Sequence, residues 1–417
     1  MRNEADIVII GAGIWGLSTA YHLAREQSGR SVVVLERNSA VAEETTRQAA
    51  GQIGQLRSDR LMAGAVRYTL ELLTDFKEMT GHDPELVRTG SLHLAQCEER
   101  MASFEAQVEH AASVGVEAQI AGAKLIENLA PAIQQKSIIG ALYVPTDGYV
   151  NAHACAEAYG KAARDLGVEV YLETEVTQIG LSENAVSYVE TSKGNIDTDC
   201  IVVTAGPWAG RIAAMTGLVL PMQPIRLQQA RTVADPNLLE NHPVVRIPDQ
   251  SCYLRPEEGG YLFGVFDSEP LPVDLCEEPS IFTTSDIKPS EDIVAGMRSR
   301  LAPIFPVLEQ LDIAQYRQGM VTCTPDAGYV IGLTPSIRGQ WVATGCGGMG
   351  IAGSGAVGRW LADWILKGHP GDDISVFDPS RFKGRDPAWI REECRRVCAN
   401  YYALESVTYS LASTSCN

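Results

Sequence analysis

The chain has 417 residues, more than one hydrophobic core normally serves, so we expect two closely joined domains. Its residues are 45% hydrophobic and 21% charged, which is typical of a globular protein and excludes a low-complexity or fibrous chain. The formal net charge of -18 disfavours nucleic acid and anionic membranes as partners, and it fits either attraction of cationic substrates or solubility alone.

The N-terminal residues lead directly into a predicted strand. Residues 6–10 are almost entirely apolar, as a parallel strand buried on both faces requires. A glycine-rich turn over residues 11–16 follows, then a helix over 17–24 and a second buried strand over 31–35. No secretion signal precedes these elements, and no apolar run is long enough to span a bilayer, so we expect a cytoplasmic protein without a membrane anchor.

The turn has the spacing of a dinucleotide-binding site. In that pattern Gly11 makes the tight turn, Gly13 lets the backbone approach a pyrophosphate, and Gly16 lets the helix pack against the strand. Glu36 ends the second strand, where a carboxylate binds a ribose hydroxyl. Because this carboxylate precedes Arg37, we expect an unphosphorylated ribose.

Later segments alternate between two patterns of predicted secondary structure. Strand–helix patterns typical of the first domain return near residues 152–177, 201–210 and 341–362, whereas hairpin-like strands dominate elsewhere. We therefore predict an α/β protein with a Rossmann-like nucleotide-binding domain and a second, largely antiparallel α+β substrate domain. The first domain is predicted to comprise residues 1–85, 145–218 and 325–368, the second 86–144 and 219–324, and a C-terminal helical tail 369–417.

Five segments of the sequence, which follow one another in the same order as in a known family, carry a resemblance to that family. The chain resembles the FAD-dependent amine and amino-acid oxidases, which include sarcosine oxidase, glycine oxidase and D-amino-acid oxidase. Its sequence is most similar in pattern to those of dimethylglycine and sarcosine dehydrogenases. The segments are the Gly11–Gly16 turn, Thr45–Gly51, Asp147–Asn151, Ala205–Ala209 and Gly345–Gly350.

The resemblance implies FAD as the cofactor and assigns residues to it. Thr45 and Thr46 would run under the pyrophosphate, small residues would lie along the flavin ring, and Val176 would contact adenine through its main chain. The late glycine loop would face the flavin N1–C2=O edge and stabilise negative charge there. The implied set is Gly11, Ala12, Gly13, Ile14, Trp15, Gly16, Glu36, Arg37, Thr45, Thr46, Ala49, Ala50, Gly51, Val176, Ala205, Gly206, Trp208, Gly347, Gly348, Met349, Gly350 and Ile351.

Two departures from the family predict that FAD is held without a covalent bond. The related dehydrogenases attach FAD through a histidine, and the corresponding residue here is Gln48. Sarcosine oxidase uses a cysteine, and the matching position here is Gly319, with Cys323 out of register.

The substrate residues are less marked. Arg57 matches an arginine that grips the substrate carboxylate in sarcosine oxidase, and Tyr253 matches an active-site tyrosine that would position the amine. Arg255 is a second candidate for the anion. The cations that sarcosine oxidase and glycine oxidase add are replaced here by Ala352 and Val321, so the substrate need not be a simple α-amino acid.

These residues leave several functions open. The first is oxidation of the C–N bond of a secondary or tertiary N-methyl or N-alkyl amino acid, with oxygen favoured over an external acceptor. The second is deamination of a primary D- or cyclic amino acid, which the loss of the glycine-oxidase arginine disfavours. The third is a flavin-fold regulatory subunit without turnover, which the complete glycine loops disfavour. The chain ends at Asn417, before any folate-binding domain of the kind that follows in dimethylglycine dehydrogenase.

The remaining reactive residue types do not form a site in the sequence. The seven histidines lack metal-ligand spacing, so no metal is expected. Most of the ten cysteines suit small buried positions in a reducing compartment. Cys394 and Cys398 share one face of a tail helix, and helix packing explains them better than a metal cluster does.

Overall fold

The computed structural model of the chain describes residues 1–279 and 281–403. In chain order its strands are β1 (Ile7–Ile10), β2 (Val32–Leu35), β3 (Gln52–Ile53), β4 (Leu86–Val87), β5 (Ser91–Ala95), β6 (Gln119–Ala121), β7 (Gly140–Val144), β8 (Gly148–Val150), β9 (Glu169–Tyr171), β10 (Val176–Ser182), β11 (Ala185–Thr191), β12 (Gly194–Asp197), β13 (Ile201–Val203), β14 (Gln223–Thr232), β15 (Val244–Ile247), β16 (Cys252–Glu257), β17 (Gly260–Val265), β18 (Ile313–Cys323), β19 (Val330–Leu333) and β20 (Gln340–Thr344). Its helices are α1 (Ile14–Arg25), α2 (Arg60–Thr80), α3 (Glu98–Ala111), α4 (Ala123–Leu129), α5 (Ala152–Asp165), α6 (Ala209–Ala214), α7 (Glu291–Leu301), α8 (Val307–Gln310), α9 (Ser354–Lys367) and α10 (Pro387–Ala399).

A six-stranded sheet forms the nucleotide-binding half of the fold. Its order is β19-β20-β13-β1-β2-β9, and only β19 runs antiparallel to its neighbour. Both β1 and β2 are buried along their whole length because helices α1, α5 and α9 cover one face and the β10–β12 sheet covers the other. The turn between β1 and α1 therefore opens at the carboxyl edge of a parallel sheet, where such folds bind nucleotides.

An eight-stranded sheet forms the other half. Its order is β18-β14-β17-β16-β15-β5-β7-β6, and every adjacent pair except β15–β5 is antiparallel. One face packs on α7 and α8 through a separate apolar core. The predicted fold class, an α/β sheet joined to a largely antiparallel α+β sheet, is confirmed. The exact domain boundaries given above remain a prediction.

Helix α2 had no counterpart among the predicted elements, although its ends carry ordinary signals. Asp59 is the N-cap, and its carboxylate accepts a hydrogen bond from the backbone N–H of Met62 at 2.7 Å. Gly81 closes the helix with a φ of 78°. The buried stripe of α2 packs against α9 and supports the nucleotide-binding sheet.

The tail helix α10 packs against β14 and β18. Cys394 and Cys398 are buried in that contact, which agrees with the packing interpretation of the pair. The Ser/Thr-rich end that we predict to be loose lies outside the described residues.

Candidate functional site

A cavity of about 580 Å³ runs between the two large sheets. Its walls include Ile10 and Ala343 from the six-stranded sheet, and Leu227 and Tyr253 from the eight-stranded sheet. The glycine turn and the late glycine loop both reach this cavity, so the two segments that are far apart in the sequence meet at one site.

The glycines of the turn are required by their surroundings. Gly11 has a φ of 106°, and a Cβ there would lie 2.9 Å from the carbonyl oxygen of Thr204. A Cβ at Gly16 would lie 2.0 Å from the carbonyl oxygen of Gly11, so helix and strand approach too closely for any side chain. Gly13 lines the cavity instead, with the side chain of Thr46 beside it.

Glu36 lies in the wall behind this turn. One carboxylate oxygen accepts from the backbone N–H of Ala12 and the other from that of Asn38, each at 2.9 Å. Burial raises the pKa of Glu36, and these two hydrogen bonds oppose that rise. The carboxylate is thus fixed in orientation at the edge of the cavity, as binding of a ribose hydroxyl requires.

Several polar groups at the cavity lack a protein partner. The backbone N–H groups of Gly13 and Trp15 have no acceptor among the described residues, and the N-terminus of α1 adds its dipole there. Within the same described part, the Thr45 hydroxyl and the Trp208 indole N–H are buried without a hydrogen bond. Buried polar groups are normally paired, so this set fits a bound ligand with phosphates and ring nitrogens.

The rim at the Val176 end is built from an ion pair and an aromatic ring. The Arg37 guanidinium carbon lies 4.3 Å from the centre of the Trp208 ring, and its Nη2 lies 3.0 Å from a Glu44 carboxylate oxygen. Val176 is buried in the same wall. This end suits an adenosine group.

The opposite end has flat, small-residue walls. Ala49, Ala50 and Gly51 line it, and a Cβ at Gly51 would lie 2.1 Å from the carbonyl oxygen of Val150. Across the cavity, the backbone N–H groups of Gly350 and Ile351 have no acceptor in the described part of the chain. A planar ring with an acceptor edge fits between these two walls.

Trp15 connects the two glycine segments. Its indole N–H donates to the carbonyl oxygen of Gly350 at 2.7 Å, and its ring meets that of Tyr329 edge-on. Trp15 therefore fixes the late loop relative to the turn, a contact that the sequence does not indicate.

Most of the residues predicted to bind the cofactor line the cavity, but a few do not. Ala12 and Gly16 lie behind the wall, and Gly347 donates its N–H to the carbonyl oxygen of Thr322. The predicted residues in the wall are Gly11, Gly13, Ile14, Trp15, Glu36, Arg37, Thr45, Thr46, Ala49, Ala50, Gly51, Val176, Ala205, Gly206, Trp208, Gly348, Met349, Gly350 and Ile351.

Arg57 and Tyr253 reach the small-residue end, but Arg255 does not. The buried Arg255 side chain donates to the carbonyl oxygens of Ala50 and Pro256 and pairs with Glu257 at 2.7 Å. It is absent from the cavity wall, so it does not serve as the anion-binding residue suggested above. Its role in the structure is to clamp the Ala50 carbonyl to the second sheet.

Three wall residues at this end were not predicted. Arg246 lies on β15 opposite Tyr253 of β16, and Tyr401 and Tyr402 follow α10. Phe266 stacks on Tyr401 with ring centres 3.8 Å apart. Pairing the strand of Arg246 with that of Tyr253 would have placed Arg246 at this end of the cavity. No local sequence pattern indicates that the tail reaches the cavity.

The comparisons with known proteins agree with this geometry. Residues 6–364 match the family model described as DAO, FAD dependent oxidoreductase. The chain is 31% identical over 396 residues to mitochondrial dimethylglycine dehydrogenase of Rattus norvegicus, covering 91% of the chain and 45% of the relative. It is 30% identical over 382 residues to the mitochondrial pyruvate dehydrogenase phosphatase regulatory subunit of Mus musculus, covering 91% of the chain and 43% of the relative.

A solved structure shows the same fold over its whole length. L-proline dehydrogenase from P. horikoshii superposes with a TM-score of 0.82 at 25% identity, covering 92% of this chain and 99% of the other. The chain thus spans less than half the length of the two mitochondrial relatives but nearly all of this enzyme. With the family model matched over most of its length, the chain belongs to the FAD-dependent oxidoreductase family, whose cofactor is FAD.

Proposed function

We propose that the protein oxidises the C–N bond of a secondary or tertiary N-methyl or N-alkyl amino acid. The product imine is hydrolysed by water to an aldehyde and an amine. The observation that carries this proposal is the Tyr253 end of the cavity, where a flat small-residue wall meets aromatic side chains and the cation of Arg57. An amine that also bears a carboxylate is complementary to that combination.

The residues present fit FAD, which when bound accepts the hydride equivalent from the carbon beside nitrogen. Gly13 and Trp15 would donate backbone N–H groups to the pyrophosphate, Glu36 would hold the ribose, and Gly350 and Ile351 would donate to the edge of the ring. Arg57 would hold the substrate carboxylate and Tyr253 would orient the amine. Phe266, which stacks on Tyr401, would exclude water from the reacting carbon.

We further propose that FAD is held without a covalent link. The two positions where relatives form that link face one another here, since a Cβ at Gly319 would lie 2.8 Å from the Cβ of Gln48. A glutamine amide and a glycine offer no nucleophile. Cys323 is buried in the contact with α10, and the hydrogen bond between its thiol and Cys398, together with burial, keeps the pKa of Cys323 raised.

Anaerobic mixing tests the reaction directly. The purified flavoprotein is mixed without oxygen with a panel of N-methyl amino acids and with the matching primary D-amino acids, and the visible flavin absorbance is followed. We expect bleaching by N-methyl substrates and none by the primary amines. Bleaching by the primary amines alone would favour the deaminase alternative, and no bleaching by any compound would favour a subunit without turnover.

The electron acceptor is tested with the same bleached protein. We propose oxygen, so admitting air should restore the absorbance and yield one peroxide per substrate consumed. Recovery only after adding an artificial acceptor dye would identify an external-acceptor dehydrogenase instead.

A further inference from the structure

We propose that Arg246 is the second cation of the carboxylate site and that the substrate carboxylate binds between Arg246 and Arg57. This inference rests on the proposed function and deepens it by assigning a specificity residue on β15, whereas Arg57 lies in the segment between β3 and α2.

Both guanidinium groups lack a counter-ion. Neither Arg57 nor Arg246 forms an ion pair within residues 1–279 and 281–403. The Nε of Arg57 is buried without a hydrogen bond there, and its Nη1 reaches only the carbonyl oxygen of Leu56 at 3.4 Å. Both side chains are half-buried, and a partly desolvated cation without a counter-ion is costly, so these groups are arranged for an anionic ligand.

Arg246 is held so that its terminal nitrogens remain available. Its Nε donates to the side-chain oxygen of Gln52 at 3.1 Å. A Cβ at Gly54 would lie 2.8 Å from the Nη2 of Arg246, so the guanidinium rests against the backbone of Gly54 and a side chain there would displace it. The hydrogen bond to Gln52 and the contact with Gly54 thus hold the Arg246 guanidinium in place, and its two NH₂ groups are left for a ligand.

The positive charges of the two arginines influence the pKa values of the same neighbouring side chains. The charges of both oppose the burial that raises the pKa of Tyr402, and both help to depress the pKa of the buried His93. Tyr402 lies in the cavity wall with them, whereas His93 lies behind it on β5 beside Arg246. The two cations therefore converge on one end of the cavity.

Among residues 1–279 and 281–403, no carboxylate in the wall neutralises that end. The acidic residues of the wall all flank the cofactor segments at the other end: Glu36, Glu43, Glu44 and Glu175. Asp147 interacts electrostatically with Arg246 but lies outside the wall. Its carboxylate oxygens already accept hydrogen bonds from Ser91 Oγ at 2.6 Å and from the backbone N–H of Gln55 at 2.8 Å. Burial raises the pKa of Asp147, which further reduces its use as a counter-ion.

The strand register sets Arg246 beside the amine-positioning residue. Arg246 of β15 pairs directly with Tyr253 of β16, and directly opposed residues of an antiparallel pair point to the same face. Both residues also line the cavity. Carboxylate and nitrogen can therefore be held at the same time.

The second cation has a consequence for the protonation of the amine. After one carboxylate binds, one positive charge remains unneutralised, and it disfavours the ammonium form of the substrate. The described titratable groups at this end of the cavity are Arg57, Arg246, Tyr253, Tyr401, Tyr402 and Cys346, and none of these carries a carboxylate. The free base, which the oxidation requires, is thus favoured, and removing Arg246 raises the pH at which reduction begins by about one unit.

The experiment measures carboxylate binding without turnover. Acetate and benzoate are titrated into the FAD-loaded protein, and the change in the visible flavin spectrum gives Kd. We expect Arg246→Gln to weaken this binding by about 10- to 100-fold and Arg246→Lys to weaken it less, because a charge-assisted contact is lost or replaced. Arg226→Gln is the matched control, since Arg226 lies half-buried on β14 and outside the cavity wall.

A second measurement separates binding from misfolding. With an N-methyl amino acid, Arg246→Gln should raise KM and shift the pH profile of flavin reduction upward. The KM of an N-methyl amino alcohol without the carboxylate, measured at a pH where its amine is already the free base, should be the same for the variant and the unchanged protein. Equal carboxylate Kd values for Arg246→Gln and the unchanged protein overturn the proposal, as does absence of carboxylate binding by the unchanged protein. If carboxylates bind through Arg246 but no amine bleaches the flavin, the proposed function fails and the anion site stands.

Discussion

At the scale of single residues, the glycine turn shows how little room the cofactor site leaves. Replacing Gly16 by alanine places a Cβ 2.0 Å from the carbonyl oxygen of Gly11, so α1 must move away from β1. Overpacking of this kind costs about 1–3 kcal/mol, and the shift also disturbs the N–H groups of Gly13 and Trp15. We expect Gly16→Ala to lower Tm and to lose most of its bound FAD, as measured by thermal melting and by flavin content per protein.

Gly64 provides the matched control. It lies within α2, and a Cβ there would have nothing within 4 Å. Gly64→Ala should therefore leave the FAD content unchanged and stabilise the protein by about 0.5–1 kcal/mol through helix propensity. Gly16→Ala melting and binding FAD like Gly64→Ala would contradict the packing account.

Residue roles could be predicted where the backbone dictates them, and less well where side-chain direction decides. The glycines and Glu36 follow a fixed spacing because a turn and a strand end allow few alternatives. Arg255 and Arg246 are both cations in neighbouring strands, yet only Arg246 reaches the cavity wall. The sequence does not reveal that choice, because both side chains lie on the same face of the sheet. It depends on how far along its strand each arginine lies from the cavity and on the half-buried Glu257 partner of Arg255.

At the scale of elements, the segment between β17 and α7 is anchored to the cofactor rim by one carboxylate. Glu44 accepts from the backbone N–H and the hydroxyl of Thr284 at 2.8 and 2.9 Å, and it also pairs with Arg37 at 3.0 Å. Arg37 in turn donates to the carbonyl oxygen of Phe282 at 3.0 Å and lies over Trp208. One carboxylate thus holds both the wall of the cavity and the segment outside it.

We expect Glu44→Gln to weaken FAD binding by about 10-fold or more, because charge-assisted hydrogen bonds to Arg37 and Thr284 are lost together. Flavin-fluorescence titration of the FAD-free protein measures this Kd. Carboxylate binding at the other end of the cavity should stay unchanged once FAD is saturating.

Glu43→Gln is the control for that experiment. Glu43 also lines the cavity, but its ion pair is with the exposed Arg47 at 3.0 Å, and such surface pairs contribute about 0–1 kcal/mol. Similar FAD affinities for the two variants would show that the Glu44 contacts do not hold the cofactor wall.

The elements themselves could largely be predicted, with one exception of physical interest. Strands β1 and β2 and helices α1, α5 and α9 follow from apolar runs and capping patterns, since local sequence determines them. The contact of the tail with the cavity could not be predicted. Tyr401 reaches the cavity only because α10 packs on β14 and β18 and because its ring stacks on Phe266. Contacts between segments distant in the sequence leave no local signal.

At the scale of the whole molecule, the cofactor cavity lies between two separate cores. Its wall takes residues from both large sheets, and it contains polar groups without protein partners in the described chain. Free FAD would complete these contacts in the folded state only, so binding and stability are coupled. None of the described helices is long and apolar enough to cross a membrane.

The coupling and the non-covalent attachment can be tested on one preparation. Acid precipitation should release the flavin into the supernatant, because Gln48 and Gly319 provide no bond to it. The FAD-free protein, prepared under milder conditions, should regain its visible spectrum on adding FAD. At FAD concentrations 100 times Kd, linkage adds about 2.7 kcal/mol to the free energy of unfolding, so Tm should rise by several degrees and continue to rise with FAD concentration.

AMP is the control ligand because it carries the adenosine group but no flavin ring. It should raise Tm less than FAD does, since it contacts the Glu36 and Val176 end and leaves the wall of Ala49 and Gly51 unfilled. If AMP and FAD stabilise the protein equally, the flavin end contributes nothing to the closure of the two sheets on the cofactor. If yellow colour stays with the acid precipitate, a covalent bond exists at a residue other than Gln48 or Gly319.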